Sequence, residues 1–277
     1  MGYVELHCHS TFSFLDGASH PIELAGAAAE LGHGAMALTD HDGLYGSMEF
    51  AIAAKTVGVR PITGAEITLD DGSHLTLLCE NRTGYTNLCK LITAAHRGTR
   101  DRPADPLPPS VAFEEVERRA EGLVCLSGCA TNGPIARAIE AGDHAAAAVW
   151  GRALLAAFGR DHLRIELQRP FARNDRRRNR LLAQLAERLD VPCVATGNIH
   201  AHARSRVDLQ DAFVAVRLRS TLDETEPLRR GNGSHVLASA DAMADRFPDY
   251  PDAVDESGRL AESLTFDLGS DLGYRYP

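Results

Sequence analysis

The chain has 277 residues, 44% of them hydrophobic, enough for one large domain or two small ones with a substantial core. Its formal net charge of -9 argues against a protein that coats nucleic acid by bulk electrostatics and suits one whose acidic and imidazole groups hold cations. No run approaches the roughly 20 apolar residues of a membrane span, and no basic-then-apolar leader opens the chain, so a cytoplasmic protein is expected, in which six scattered cysteines are buried thiols or ligands and not a disulfide framework.

The first element is YVELHC (3–8). As a strand it puts His7 and His9 on one face, two residues of rise apart, while Cys8 points away. Two imidazoles so placed can grip one cation or two neighbouring ones. Asp16-Gly17 follows in the loop and, taken alone, is a turn. PIELAGAAAELG (21–32) predicts a helix with Pro21 in its first turn and Gly32 as its stop. AMALTD (35–40) predicts a buried strand, 44–58 a helix ended by glycine, and RPITGAE (60–66) and HLTLLCE (74–80) two strands. An amphipathic helix over 83–98 carries Leu88, Leu91, Ile92 and Ala95 on one face. Residues 99–110, rich in Pro, Asp and Arg, predict a loop or flap. FEEVERRAEG is helical and leads to the strand LVCLSG (123–128). Helices follow at 133–141 and 143–158, a strand at 162–168, a helix at 174–190 and a strand at 191–197. From 205 onward a helix precedes a short strand and another helix, and the end shows no periodicity.

Repeated β-then-α units, about seven of them, predict an α/β fold with a mainly parallel sheet, and the count favours a barrel. In a barrel, reactive residues gather where strands end. Five strand ends here carry candidate ligands: His7 and His9; Asp40, His41 and Asp42; Glu66; Cys129; Asn198 and His200. Each has a plain alternative. Asp40 or Asp42 can cap a helix, Glu66 can be a surface carboxylate, and Cys129 can be a small buried side chain. Their convergence on one rim argues for a metal site.

HCHS, LDG, TDHDGLYG, GAE, LSGC and ATGNIH, in that order and spacing, resemble the motifs of the polymerase-and-histidinol-phosphatase (PHP) domain. The likeness is nearest to the N-terminal PHP domain of bacterial DNA polymerase III alpha subunits of the error-prone branch, which HLTLLCENRTGYTNLCKLITAAHRG and FDLGSDLGYRYP strengthen. The resemblance covers essentially the whole chain. It implies a single domain over 1–277, with a distorted (β/α)7 TIM-like barrel core over 1–204 and C-terminal helices over 205–277 that extend toward a polymerase region. It also implies two or three divalent ions (Zn, Mn or Fe). Carried over by position, the ligands fall on His7, His9, Asp16, His41, Glu66, His96, Cys129, Asn198 and His200, with Glu66 bridging two ions. His96 comes from the resemblance alone; as a residue it is a polar helix terminus, and His74 is a competitor for its slot. Asn198 departs from the family's usual Asp, and a neutral amide is the poorer ligand for a hard cation.

Ions so held activate water and clamp a phosphate. The expected activity is phosphoester hydrolysis, as a general phosphoesterase or, at the DNA 3′ end that the resemblance implies, as a 3′→5′ exonuclease, with His7, His9, Glu66 and His200 at the chemistry. Arg204 and Arg206, just past His200, are placed to meet a substrate phosphate. The basic stretch 169–180 could track a phosphate backbone, but Asn and Asp interrupt it and Phe171 is its one interleaved aromatic, so a solvated loop and helix start is favoured. Nothing after residue 205 resembles a polymerase's acidic triad. The alternatives are a free-standing small-molecule phosphatase and a structural metal domain supporting a polymerase.

Overall fold

The computed structural model describes residues 2–99, 107–231 and 233–273. Six strands among them form one sheet in chain order: β1 (Ala35–Leu38), β2 (Arg60–Thr68), β3 (His74–Cys79), β4 (Leu123–Leu126), β5 (Leu163–Gln168) and β6 (Cys193–Thr196). β1–β2, β4–β5 and β5–β6 are parallel, while β3 runs antiparallel to both its neighbours. The connection between β2 and β3 is too short for a crossover helix, so β3 can only turn back.

The helices are α1 (Pro21–Glu30), α2 (Ser47–Thr56), α3 (Arg82–Ala95), α4 (Phe113–Glu117), α5 (Pro134–Glu140), α6 (His144–Phe158), α7 (Asp175–Leu189), α8 (Val207–Leu218), α9 (Leu222–Thr225), α10 (Ala240–Arg246) and α11 (Pro251–Ser263). Prolines open α1, α5 and α11, where their missing N–H is no loss. The Asn81 side chain accepts from Gly84 N–H to cap α3, and that of Asp143 accepts from Ala146 N–H to cap α6. α7 packs on β5 and α11 on β6. Val4, Leu6, Ala35, Ala37, Ile62 and Leu78 cluster with Leu260 and Ala261 of α11 and with Leu264 just past it. Burying a side chain of this size is worth about 1.5–3 kcal/mol, so the C-terminal helix is part of the core.

Six regular strands stand among the described residues where seven were expected. The first segment makes isolated parallel bridges, Glu5 to Met36 and Cys8 to Ile199, and is no regular strand. Its N–H groups go largely to side chains: Val4 to Ser257 Oγ (3.0 Å), His7 to Glu5 Oε1 (2.9 Å) and Cys8 to Thr39 Oγ1 (2.9 Å). It still ties the first strand to the last, since Ala37 N–H donates to Glu5 O (2.8 Å) and Ile199 N–H to His7 O (2.9 Å). In the tail, one expected helix is two, α10 and α11, separated by Pro248 and Pro251, which disfavour helical backbone in the residues before them. The expected flap falls largely on residues 100–106, outside the described residues.

His33 is buried, and its Nε2–H donates to Ala238 O (2.9 Å). Burial holds its pKa below the usual value. The imidazole is therefore neutral in the fold, and the unfolded chain takes up the proton first as pH falls below about 6.5. Stability from this group is fully present above that pH and is lost toward the lower folded pKa. The His33→Gln variant, which keeps a donor for Ala238 O, should show a flatter fall in urea midpoint between pH 7.5 and 5.5 than the wild type.

Candidate metal centre

Serine and threonine hydroxyls set up the site before any ligand is considered. Asp40 accepts from Ser10 N–H (2.6 Å), Ser10 Oγ–H (2.7 Å) and Ser13 Oγ–H (2.7 Å), and Asp42 accepts from Thr68 N–H (2.8 Å) and Oγ1–H (2.7 Å). The two aspartates of TDHD thus fasten loops; neither caps α2, whose N-cap is Gly46. His41 between them projects inward. Ser13 gives its single proton to Asp40, so toward His9 Nδ1 (3.1 Å) it accepts. That fixes the His9 proton on Nδ1 and leaves the Nε2 lone pair facing Glu66. His7 Nδ1 lies 2.7 Å from Glu166 Oε1, which orients its Nε2 the same way.

Glu66 is the hub. Its Oε1 lies 3.5 Å from His7 Nε2, and its Oε2 lies 3.7 Å from His9 Nε2, 2.8 Å from His41 Nδ1 and 3.3 Å from His74 Nδ1. Two groups of three donors result, His7/His9/Glu66 and His41/Glu66/His74, each with ligand atoms within 4.8 Å of one another. They share the Glu66 carboxylate. Beside them, Asp16 Oδ2 is 3.1 Å from His41 Nε2 and 3.2 Å from His200 Nδ1, and His200 Nε2 is 2.9 Å from Asn198 Oδ1. Gly17 makes the Asp16 turn possible, because a Cβ there would sit 1.9 Å from Ser10 O. His9, Asp16, His41, Glu66, His74, Asn198, His200 and Cys129 line a cavity of about 750 Å³.

Charge divides the donors into two sets. Burial opposes ionisation of Glu66 and Asp16, but His41 and His74 around the first, and His200 and Arg230 around the second, hold both carboxyls well below the usual range. Burial likewise opposes charge on His7 and His41, yet Glu166 beside the first and Glu66 beside the second push each imidazole up to about 10. His9, stacked between His41 and His200 with centroids 4.4 Å away on each side, is held well below its usual value by burial and those neighbours. His200 falls to about 4 through burial and Arg230. The Cys129 thiol is pushed up to about 12 by burial and by Glu66, so it ionises only beside a strong cation.

The donor set fits divalent ions. Glu66 Oε1, His74 Nδ1 and His200 Nδ1 are buried and make no hydrogen bond, a costly arrangement for apolar surroundings and a natural one for ligand atoms. Imidazole with carboxylate and thiolate suits Zn, Mn or Fe over Mg. No helix among the described residues is long and apolar enough to cross a membrane.

Of the residues singled out from sequence, His9, Asp16, His41, Glu66, Cys129, Asn198 and His200 line this cavity, and His7 joins them through its donor group with His9 and Glu66. His96 does not join them: its Nε2–H donates to Asp42 O (2.8 Å), it belongs to neither donor group and it does not line the cavity. His74 stands there in its place. Arg204 and Arg206 also stay outside the lining, and Arg206 pairs with Glu23. The arginines that face the cavity are Arg217, Arg229 and Arg230, of which Arg230 lies 2.9 Å and Arg217 3.2 Å from the Asp16 carboxylate.

Glu166 escaped sequence reasoning because it lies inside a strand. It is buried in β5 on the same strand face as Gln168 and accepts from His7 Nδ1–H, Gln168 Nε2–H and Thr196 Oγ1–H. A Glu166→Gln exchange keeps the shape and loses the charge that orients His7. It should weaken metal affinity about 10- to 100-fold, read as the zinc or manganese dissociation constant by calorimetry.

The PHP domain model matches residues 5–170. The chain belongs to the PHP domain family. An error-prone DNA polymerase of Symbiobacterium thermophilum is 38% identical over 274 residues, covering 95% of this chain and 25% of the relative. Another from Mycobacterium tuberculosis is 37% identical over 279 residues, covering 97% and 25%. This PHP chain therefore spans about a quarter of the length of the curated relatives it matches. Among solved structures, it is similar to a proposed metal-dependent phosphoesterase from Bifidobacterium adolescentis (18% identity, 71% of this chain and 87% of that one, TM-score 0.46) and to an amidohydrolase from Chromobacterium violaceum (17%, 72% and 88%, TM-score 0.49).

Proposed function

We propose that this chain is the PHP region of an error-prone DNA polymerase of the polymerase III alpha type, acting in the cytoplasm, and that it hydrolyses phosphodiesters at the 3′ end of a DNA strand. The observation that carries the reading is the Glu66 carboxylate common to two donor groups. Two or three divalent ions bound among these residues would supply a water of lowered pKa and Lewis acidity toward phosphoryl oxygens. His7, His9 and Glu66 would hold the ions, with His41, His74 and Cys129 as further ligands. Asp16, Asn198 and His200 form a third set of donors, weaker for carrying an amide in place of a carboxylate.

The protein's own groups complete the chemistry. His200, neutral, donates Nε2–H to Asn198 Oδ1 (2.9 Å), which leaves the lone pair of its other nitrogen on the Asp16 side of the cavity, where it would hold a cation. Arg217, Arg229 and Arg230 face the same space and would neutralise phosphate oxygens better than Arg204 or Arg206, which stay outside it. The test is nucleotide release from a 3′-labelled primer with added manganese. Release by the wild type that His9→Ala abolishes is expected; no release by the wild type, or equal release by the variant, removes the reading.

A further inference from the structure

The loop after β5 carries an aromatic ring that the fold does not use. Phe171 is 62% exposed. Its φ is 62°, in the left-handed region that a bulky side chain rarely adopts. Such a backbone costs of order 1–2 kcal/mol, spent here on turning a ring toward solvent. The Arg246 guanidinium sits 5.4 Å from the ring centroid, a cation–π contact that props the ring without burying it.

Charge around the ring is basic. Phe171 shares a depression of about 370 Å³ with Arg169, Arg173, Arg176 and Arg246, against Asp175 and Asp245. Asp175 is committed, accepting from Arg178 (2.6 Å) and from Ala172 N–H (2.9 Å). Arg169 is committed too, to Arg246 O (2.8 Å) and Asp249 (3.0 Å). Arg173 and Arg176 are exposed and make no ion pair or hydrogen bond among the described residues. The place matters as much as the charge. Pro170 and Ala172, on either side of Phe171, line the metal cavity, and Ala172 lines both spaces. The ring thus stands on the wall between the basic depression and the metal-ligating side chains.

We propose that Phe171 is a stacking ledge for a base of single-stranded nucleic acid, with Arg173 and Arg176 on its phosphates and the strand's end directed into the metal cavity. An open aromatic face beside unpaired guanidiniums is the combination that binds single strands without reading sequence. The basic run 169–180, which reads in sequence as a solvated face, is then divided in function. Arg169 and Arg178 are buried in ion pairs, and Arg173 and Arg176 are left for a ligand. This inference rests on the proposed nucleic-acid substrate, and its test is run where hydrolysis cannot contribute.

The experiment is fluorescence anisotropy of a labelled oligothymidylate with the 277-residue chain in excess EDTA. Phe171→Ala should weaken binding about tenfold and Phe171→Tyr should restore it, since stacking needs only a π face. Arg173→Ala with Arg176→Ala should lower the slope of log affinity against log salt by about 1 to 2. Equal affinity of wild type and Phe171→Ala, or no binding by the wild type in about 50 mM salt, overturns the proposal. A wild type that binds through Phe171 but releases no nucleotide with manganese leaves the ledge standing and removes the hydrolytic reading instead.

Discussion

Exchanging Glu66 for glutamine should empty the site and stop hydrolysis with little change of shape. The residue is 1% exposed, and its two oxygens lie within 3.7 Å of four imidazoles. An amide is neutral and offers one oxygen acceptor where the carboxylate offers two. Both three-donor groups lose their only anion at once, because both contain Glu66. Metal content by mass spectrometry should fall below one ion per chain, and hydrolysis should fall on the order of 10³-fold, the equivalent of about 4 kcal/mol in the barrier. The fold should survive, since β2 is buried along nearly its whole length and the exchange preserves volume. Unchanged metal content in the Glu66→Gln variant, with native circular dichroism, would mean that the two groups do not share their ligand.

Most of this centre was legible because imidazole and carboxyl residues at strand ends are few, and their order along the chain repeats a known pattern. What stayed hidden follows from geometry. His74 entered only as a competitor for the His96 slot, because it opens a strand and a rule that searches where parallel strands end passes over it. β3 is antiparallel, so its first residue lies on the rim where its parallel neighbours finish, with His74 paired in register to Thr68 at the end of β2. Glu166 sits within β5, whose LRIELQ pattern gives no sign that one carboxylate inside a buried strand faces a histidine 159 positions away. The first segment alternates as a strand should, yet the side chains that make it useful take its N–H groups from the ladder. Asp40 and Asp42 looked like ligands from residue type alone. Both oxygens of each accept from Ser10, Ser13 or Thr68, which only the folded loops bring near.

The arginines that face the cavity belong to the tail, where periodicity marks α8 as an ordinary amphipathic helix. Asp16 is buried, and Arg230 Nη2 reaches both of its oxygens (3.2 and 2.9 Å) while Arg217 Nη1 reaches one (3.2 Å). Removing both guanidiniums leaves that carboxylate facing His41 and a His200 that burial and Arg230 keep neutral in the wild type. A charged hydrogen-bond partner is worth about 1.5–3 kcal/mol. Both arginines are partly exposed, which discounts each contribution through solvent screening, so the Arg217→Ala, Arg230→Ala double variant should be less stable than the wild type by about 2 kcal/mol in EDTA. Manganese should reverse most of that loss, because a cation at Asp16 supplies the charge the guanidiniums supplied, and ligand binding to the fold alone stabilises it by mass action. The double variant should also take up one more ion per chain than the wild type. Urea midpoints with and without manganese, beside metal analysis, measure all three expectations. A deficit that persists undiminished at saturating manganese would show that the arginines hold the tail helices in place through contacts other than Asp16, and that the charge at this corner of the site is not theirs to balance.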